Sequence, residues 1–154
     1  EYVNLAFHGM RANKNPINVD IKLELDEKLS KVQINPEDFS RVILNLCKNA
    51  FDAMRDKTNE NINGYLPKLT VRTKEIGEKI LLEVEDNGPG IAEENRDKLL
   101  MPFFTTKKGT EGTGLGLSIT HDIVKAHDGT LEINSQVGNF TKFSITLINK
   151  LNKD

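Results

Sequence analysis

The spacing of apolar residues changes several times along this chain, and these changes constrain the fold more than any other feature. Segments in which polar and apolar residues alternate have the two-residue period of a half-buried strand. Five such strands are predicted, at 18–25, 69–75, 79–86, 130–135 and 140–147. Because stretches with a helical period separate them, we expect an α+β fold, an α/β sandwich in which helices pack on one face of a mixed sheet.

One helix has a clear start at Asn35-Pro36-Glu37-Asp38. These residues supply an N-cap side chain, a first-turn proline and two acids at the positive end of the helix dipole. The helix is predicted to run to about residue 56, and the polar segment 58–68 is predicted to form an exposed loop. Other helices are predicted before the first strand, at 92–100 and at 114–127.

The length of 154 residues fits a single domain covering 1–154, which can form a core without disulfides. The formal net charge of −2 creates no field that attracts nucleic acid, and no apolar run is long enough for membrane insertion. The single cysteine, Cys47, lies in a helical apolar pattern, which favours a core position and a reducing, cytoplasmic compartment. Because the chain begins without methionine inside an amphipathic pattern, we expect it to be a fragment of a longer protein.

The central helix carries polar side chains beside its apolar stripe. The stripe consists of Phe39, Val42, Ile43, Leu46, Ala50 and Ala53. Asn45, Asn49 and Asp52 lie next to it, at i, i+4 and i+7. An amide at the edge of a core costs roughly 1–3 kcal/mol if it finds no partner, and a hard cation accepts neutral oxygen ligands. The spacing therefore predicts Asn45 and Asn49 as Mg²⁺ ligands, with a solvated helix face as the alternative.

The strand at 79–86 ends in a carboxylate on its apolar face, because the alternation places Asp86 in line with Ile80, Leu82 and Val84. A turn with two glycines follows at 87–91, and glycine lets the backbone approach a flat ligand closely. A carboxylate accepts hydrogen bonds but donates none, so it selects the amino group of adenine over the carbonyl of guanine. The pattern predicts that Asp86 binds adenine; the alternative is an ordinary turn at a strand end.

A glycine-rich segment, 112–117, opens the helix at 114–127. Free backbone N–H groups and the positive helix end meet there, which predicts a phosphate site. The hydroxyls and cations at 105–108 predict a flexible lid in front of it. A P-loop is excluded because the chain has no Gly-Lys pair, and Leu117 occupies the last glycine position of the dinucleotide fingerprint. A flexible linker is the alternative.

Four segments in order together resemble the nucleotide-binding boxes of sensor histidine kinases. They are Asn45-Leu-Cys-Lys-Asn49-Ala50-Phe-Asp52-Ala53, Asp86-Asn-Gly88-Pro-Gly90-Ile91, Phe103-Phe104-Thr105-Thr106-Lys107 and Gly112-Thr113-Gly114-Leu115-Gly116-Leu117. The resemblance spans nearly the whole chain and implies the catalytic and ATP-binding domain of these kinases. That domain has the Bergerat fold shared with gyrase, in which three main helices pack on one face of a mixed, mainly antiparallel five-stranded sheet with a flexible ATP lid.

The resemblance also implies roles for individual residues. Asn49, with help from Asn45, would hold Mg²⁺, and Asp86 would bind adenine with water-mediated support from Asp52. Thr106 and Lys107 would lie near the phosphates, in a lid at about 101–113, and join the two asparagines as candidate catalytic residues. The other expected ATP contacts are Gly88, Gly90, Ile91, Phe104, Thr105, Gly112, Thr113, Gly114, Leu115, Gly116, Leu117 and Thr141.

Two segments depart from the family pattern. The last box usually reads Gly-x-Gly-Thr, but here it reads Gly138-Asn139-Phe140-Thr141, so only its first and last residues carry over. The family phosphorylates a histidine in a preceding helical dimerisation domain. His8 lacks the surrounding acidic residue and proline, so the acceptor histidine is absent from this fragment.

The resulting hypothesis is a histidine protein kinase catalytic domain that transfers the γ-phosphate of ATP to the dimerisation domain, for relay to the aspartate of a response regulator receiver domain. Asn45 stands where related ATPases carry a glutamate base, which favours transfer over hydrolysis. An autonomous ATPase of the gyrase type and a non-catalytic ATP-sensing or docking module are the alternatives. The fragment is expected to be a cytoplasmic monomer whose parent could be anchored in the inner membrane.

Overall fold

The computed structural model describes residues 17–26, 35–96, 98–99 and 116–148, and within these ranges strands and helices alternate as the apolar periods predict. The elements are β1 (Asp20–Glu24), α1 (Pro36–Asn59), β2 (Lys68–Ile76), β3 (Lys79–Asp86), α2 (Glu93–Arg96), α3 (Gly116–Ala126), β4 (Thr130–Gln136) and β5 (Phe140–Ile148). Every predicted strand is found, with each end within two residues of its predicted position.

The strands form one sheet in the order β1-β2-β3-β5-β4. β1 is parallel to β2, and the other three pairs are antiparallel, so the predicted mixed, mainly antiparallel sheet is confirmed. β3 lies at the centre of the sheet and ends at Asp86. The neighbours of Asp86 across the sheet are Leu69 on β2 and Thr141 on β5.

The core lies between one face of the sheet and the helices α1 and α3. From α1 it contains Phe39, Val42, Leu46, Cys47, Ala50, Phe51 and Met54. The strands add Leu69, Val71, Ile80, Val84, Phe143, Ile145 and Leu147, and α3 adds Ile123 and Val124. The core position predicted for Cys47 is therefore confirmed. α1 buries a wider face than the predicted stripe because α3 packs against it in addition to the sheet.

The predicted start of α1 is also confirmed. The side-chain oxygen of Asn35 accepts hydrogen bonds from the backbone N–H groups of Glu37 at 3.0 Å and Asp38 at 3.2 Å. The backbone N–H of Asn35 donates to Nε2 of His127 at 3.2 Å, and the imidazole ring packs edge-on against Phe39. The residue that follows α3 therefore fixes the beginning of α1.

Two helices differ in length from the prediction. α1 continues to Asn59 instead of ending near residue 56. The helix predicted at 92–100 is wrong in length, because α2 is a single turn and the N–H of Lys98 closes a tight turn on the carbonyl of Asn95 at 3.1 Å. Arg96 donates to the carbonyl of Ser135, so a side chain holds this segment against β4. The predicted opening helix lies outside the described residues.

Ion pairs cover the sheet face opposite to the helices. Arg72 lies 2.8 Å from Glu24 and 3.1 Å from Glu85, and Lys142 lies 3.3 Å from Glu83. These contacts link β1, β2, β3 and β5 across a charged surface. Within the described ranges, no helix has the length and apolar character needed to cross a membrane.

Candidate functional site

A cavity of about 250 Å³ opens where β3 ends, bordered by α1, the turn after β3, α2 and the first residues of α3. Its lining residues are Asn49, Ala53, Asp56, Asp86, Pro89, Gly90, Ile91, Ala92, Asn95, Leu99, Leu117 and Thr141. Six of them are nucleotide contacts predicted from the sequence: Asn49, Asp86, Gly90, Ile91, Leu117 and Thr141. Residues from five separate parts of the chain therefore meet in one cavity.

Asp86 is the buried carboxylate of this cavity. The residue is 3% exposed, and its Oδ1 accepts a hydrogen bond from the backbone N–H of Gly88 at 2.8 Å. Burial raises the pKa of Asp86 to about 7, although the Gly88 N–H opposes the rise. Among the described residues Oδ2 has no hydrogen-bond partner, so the carboxylate retains an acceptor for a group in the cavity.

Glycine occupies two positions at which the turn after Asp86 lies close to its neighbours. A Cβ atom at Gly88 would lie 2.8 Å from Oδ1 of Asp86. Gly90 has a φ of +75°, in the left-handed region, and a Cβ atom there would overlap the carbonyl oxygen of Gln136. The glycines predicted to allow close approach to a ligand thus also allow the turn to pack against the end of β4.

Ser135 fixes the wall of the cavity on the side of β4 and β5. Its Oγ accepts a hydrogen bond from the N–H of Ile91 at 2.8 Å and donates to the carbonyl of Phe140 at 2.8 Å. The hydroxyl of Thr141 lies 3.1 Å from the same Oγ, and Thr141 is the cross-strand partner of Asp86. Phe140, the residue that departs from the family pattern, therefore contributes its backbone carbonyl to this network.

The two predicted asparagine ligands lie one turn apart on α1 and have different surroundings. Asn49 lines the cavity and is partly buried. Asn45 lies outside the lining, and its Nδ2 donates a long hydrogen bond of 3.4 Å to the carbonyl of Gly116 at the start of α3. From Asn45 to Ala53 the helix rises about 12 Å, so the site extends along α1 from the end of β3 to the start of α3.

Asp52 is buried but does not line the cavity. Its Oδ1 accepts a hydrogen bond from Nη1 of Arg55 at 2.9 Å, and the side chains of both residues are less than 10% exposed, at 9% and 7%. Asp56, one turn further along α1, lines the cavity instead. Asp52 therefore takes part in an ion pair within the helix.

Sequence reasoning missed six lining residues, namely Ala53, Asp56, Pro89, Ala92, Asn95 and Leu99, as contributors to the site. Two of them continue the helix face of Asn49, at i+4 and i+7, and this spacing was the available signal. Lys57, which donates to the carbonyls of the turn after Asp86, was also missed. The predicted contacts Phe104, Thr105, Thr106, Lys107, Gly112, Thr113, Gly114 and Leu115 lie outside the described residues.

The chemistry of the lining fits a purine nucleotide and a hard cation. Ile91, Leu99 and Leu117 provide apolar surface for a flat ring, and Asp86 provides an acceptor for a ring amino group. The amide of Asn49 offers a neutral oxygen of the kind that Mg²⁺ accepts.

Most of the chain, residues 34–150, matches the family of histidine kinase-, DNA gyrase B-, and HSP90-like ATPases. The chain is 32% identical over 153 residues to the sensor histidine kinase ZraS of Escherichia coli (strain K12), a match that covers 99% of this chain and 30% of ZraS. It is 32% identical over 139 residues to sporulation kinase E of Bacillus subtilis (strain 168), covering 90% of this chain and 17% of that kinase. The chain thus spans less than a third of the length of these relatives.

The fold is also similar to that of solved structures. The nucleotide-free catalytic domain of histidine kinase ThkA superimposes with a TM-score of 0.74 at 27% identity, covering 96% of this chain and 90% of that one. Full-length ShkA in complex with AMPPNP shares the fold, with a TM-score of 0.74 at 19% identity over 95% of this chain and 29% of that one.

Proposed function

The chain belongs to the histidine kinase-, DNA gyrase B- and HSP90-like ATPase family, and from this premise we propose that it binds Mg-ATP and transfers the γ-phosphate to a histidine on another domain of its parent protein. The observation that carries the proposal is that Asn49 on α1 and Asp86 at the end of β3 line the same cavity. An acceptor for adenine and a ligand for a hard cation are thereby available to one molecule.

In this proposal Asp86 selects adenine. Its free Oδ2 accepts a hydrogen bond from the exocyclic amino group of adenine. Guanine would place a carbonyl oxygen there, and two acceptors form no hydrogen bond with each other. Ile91 and Leu117 pack against the flat ring, and Thr141, the cross-strand partner of Asp86, lines the same cavity. A charge-assisted hydrogen bond of this kind contributes roughly 1.5–3 kcal/mol.

The other end of the site serves the phosphates. Asn49 would hold Mg²⁺ through its amide oxygen, with Asn45 assisting from the preceding turn, and the bound cation supplies charge neutralisation on the phosphates. The first N–H groups of α3 add the positive end of a helix, which attracts phosphate. The chain's own part in the reaction is therefore mainly the positioning of ATP for an incoming nucleophile.

The nature of the side chains near the start of α3 favours transfer to a histidine over hydrolysis. Hydrolysis requires a base that activates water, and the amide of Asn45 is a poor base. Among the described residues two carboxylates line the cavity, but Asp86 lies in the adenine region and Asp56 lies about 16 Å from Asn45 along the helix axis. Neither is suited to activate water at the phosphate end.

The remaining parts of the proposal concern the parent protein. We propose that residues 1–154 form one catalytic domain with an ATP lid at about 101–113, and that it works on the cytoplasmic side with a helical dimerisation domain that carries the acceptor histidine. The phosphoryl group would then pass to the receiver domain of a response regulator.

Reconstitution of the transfer tests the proposal. The chain is mixed with Mg²⁺, ATP labelled at the γ-phosphate and the separately expressed helical domain of its parent, and acid-labile, alkali-stable label on that domain is measured. Asn49→Ala should reduce the labelling rate by at least about 100-fold, because cation binding and phosphate positioning are lost together. Asn59→Ala, at the exposed end of the same helix, is the matched control and should label normally.

Two other results would assign the site to the alternative functions. Rapid ATP hydrolysis by the chain alone would identify an autonomous ATPase. Tight ATP binding without label on the histidine domain would identify a module that senses ATP or docks a partner.

A further inference from the structure

Lys57, in the last turn of α1, directs its ammonium group at three backbone carbonyls. Nζ lies 3.2 Å from the oxygen of Asn87, 3.3 Å from that of Gly88 and 3.0 Å from that of Gly138. The ring of Tyr65 lies on another side, with its centroid 4.6 Å from Nζ. An ammonium group has three protons, so one is available for each carbonyl while the ring faces the charge.

One of these carbonyls belongs to the peptide group that holds Asp86. The C=O of Asn87 and the N–H of Gly88 are opposite ends of the same peptide group. Its oxygen accepts from Lys57 at 3.2 Å, and its N–H donates to Oδ1 of Asp86 at 2.8 Å. A rotation of this peptide group would break both bonds. Because linked hydrogen bonds polarise one another, the cation strengthens the bond to the carboxylate.

The side chain of Asn87 fixes the same turn from the other direction. Its Oδ1 accepts from the N–H of Lys68 at 2.7 Å, and its Nδ2 donates to the carbonyl of Leu66 at 2.8 Å. The hydroxyl of Tyr65 donates to Oδ1 at 3.4 Å. The turn is thus held by its side chain against the start of β2 and by its backbone against Lys57.

Lys57 also connects the turn with the hairpin between β4 and β5. The carbonyl of Gly138 in that hairpin accepts from Lys57, and the N–H of the same glycine donates to the carbonyl of Pro89 at 2.7 Å. Within the described part of the chain no carboxylate pairs with Lys57. Its charge is therefore directed toward the turn and the hairpin.

We propose that Lys57 is a positioning residue for adenine recognition, acting through the peptide group between Asn87 and Gly88. It holds Oδ1 of Asp86 on the peptide N–H and so leaves Oδ2 for the amino group of adenine. This inference rests on the proposed binding of ATP. The charge of Lys57 also lowers the pKa of Asp86 against the effect of burial, which favours the ionised acceptor.

The test compares ATP with purine riboside triphosphate, which lacks only the amino group at position 6. Calorimetry gives the affinity of each nucleotide and hence a selectivity ratio. Lys57→Met should lower this ratio about fivefold through a weaker bond between the amino group and Asp86, and should change the affinity for the purine analogue by less than about twofold. Lys125→Met removes an exposed lysine from the last turn of α3 and should leave the ratio unchanged.

Lys57→Gln provides a second variant, which keeps hydrogen-bond donors and loses the charge. The selectivity ratio of this variant should fall by about threefold, which is less than in Lys57→Met. An equal loss of affinity for both nucleotides, an unchanged ratio, or loss of the fold in both variants by circular dichroism would overturn the inference. If the unmodified chain binds neither nucleotide, the proposed function itself fails, and the inference fails with it.

Discussion

Asp52 and Asp86 are both buried carboxylates, but they lie in regions of opposite character. Asp52, on α1, lies 2.9 Å from the guanidinium of Arg55. Asp86, at the end of β3, accepts a peptide N–H and has no cation within ion-pair distance among the described residues. A buried charge is costly unless it is paired. The charge of Asp52 is paired within the core, whereas Asp86 keeps an acceptor available in the cavity.

The comparison shows that burial alone does not identify a binding carboxylate. Both residues are less than 10% exposed, at 7% for Asp52 and 3% for Asp86. The two residues differ in their hydrogen-bond donor and in their access to the cavity. Asp52 accepts from a cation of its own helix, whereas Asp86 accepts from a peptide N–H and lines the cavity. At Asp86 burial raises the pKa to about 7, because the N–H of Gly88 and the charge of Lys57 offset only part of the effect of burial.

Asp52→Asn should disrupt the ion pair with Arg55, and it has the largest expected effect on stability. The buried ion pair between Asp52 and Arg55 would lose its negative charge, which should lower the free energy of unfolding by about 3 kcal/mol. Urea unfolding followed by circular dichroism measures this loss. ATP affinity below the unfolding range should change less than about threefold. A larger change would show that Asp52 takes part in adenine binding.

Asp86→Asn should remove the carboxylate acceptor from the cavity. The amide presents a donor or a weaker acceptor to the adenine amino group, so ATP affinity measured by calorimetry should fall about 10-fold to 100-fold. Asp20→Asn, on the exposed face of β1, is the control and should bind ATP normally. An unchanged affinity in Asp86→Asn would refute the adenine assignment.

The same variant should keep its fold, and the pH dependence of stability provides the check. The pKa of Asp86 rises on folding from 3.8 to about 7, so the folded state binds more protons between these values. The contribution of Asp86 to stability is therefore fully present below about pH 4 and is lost as the pH rises through 7. Relative to the parent, the melting temperature of Asp86→Asn should be higher at pH 8 than at pH 5.

The pH dependence of adenosine binding tests whether the ionised form of Asp86 is the acceptor. Adenosine carries no phosphate that titrates near neutrality, so the ionisation of Asp86 dominates. With the pKa of Asp86 at about 7, affinity should fall about tenfold from pH 8 to pH 6 as the acceptor becomes protonated. Asp86→Asn should show a flat profile, and a flat profile in the unmodified chain would contradict this prediction.

Much of the fold could be predicted because its signals are local. The alternation from Lys79 to Asp86 identifies β3 with both ends correct, and Asn35 with the proline after it identifies the start of α1. α2 is shorter than the predicted helix at 92–100, and Arg96 in its only turn donates to the carbonyl of Ser135, 39 residues away. No local pattern contains that contact.

The sequence by itself determined the strand and helix periods, the caps, the two glycines of the turn and the placement of Asp86 on an apolar face, since each depends on residues only a few positions apart. Only the tertiary structure decided that Asp56 and not Asp52 lines the cavity, because both fit the helical spacing from Asn49 and packing selects between them. It also decided that Lys57 reaches the carbonyls of Gly88 and Gly138, at sequence separations of 31 and 81 residues. Contacts over such distances exist only after the sheet has brought distant segments together, so the spacing of residues along the chain does not contain them.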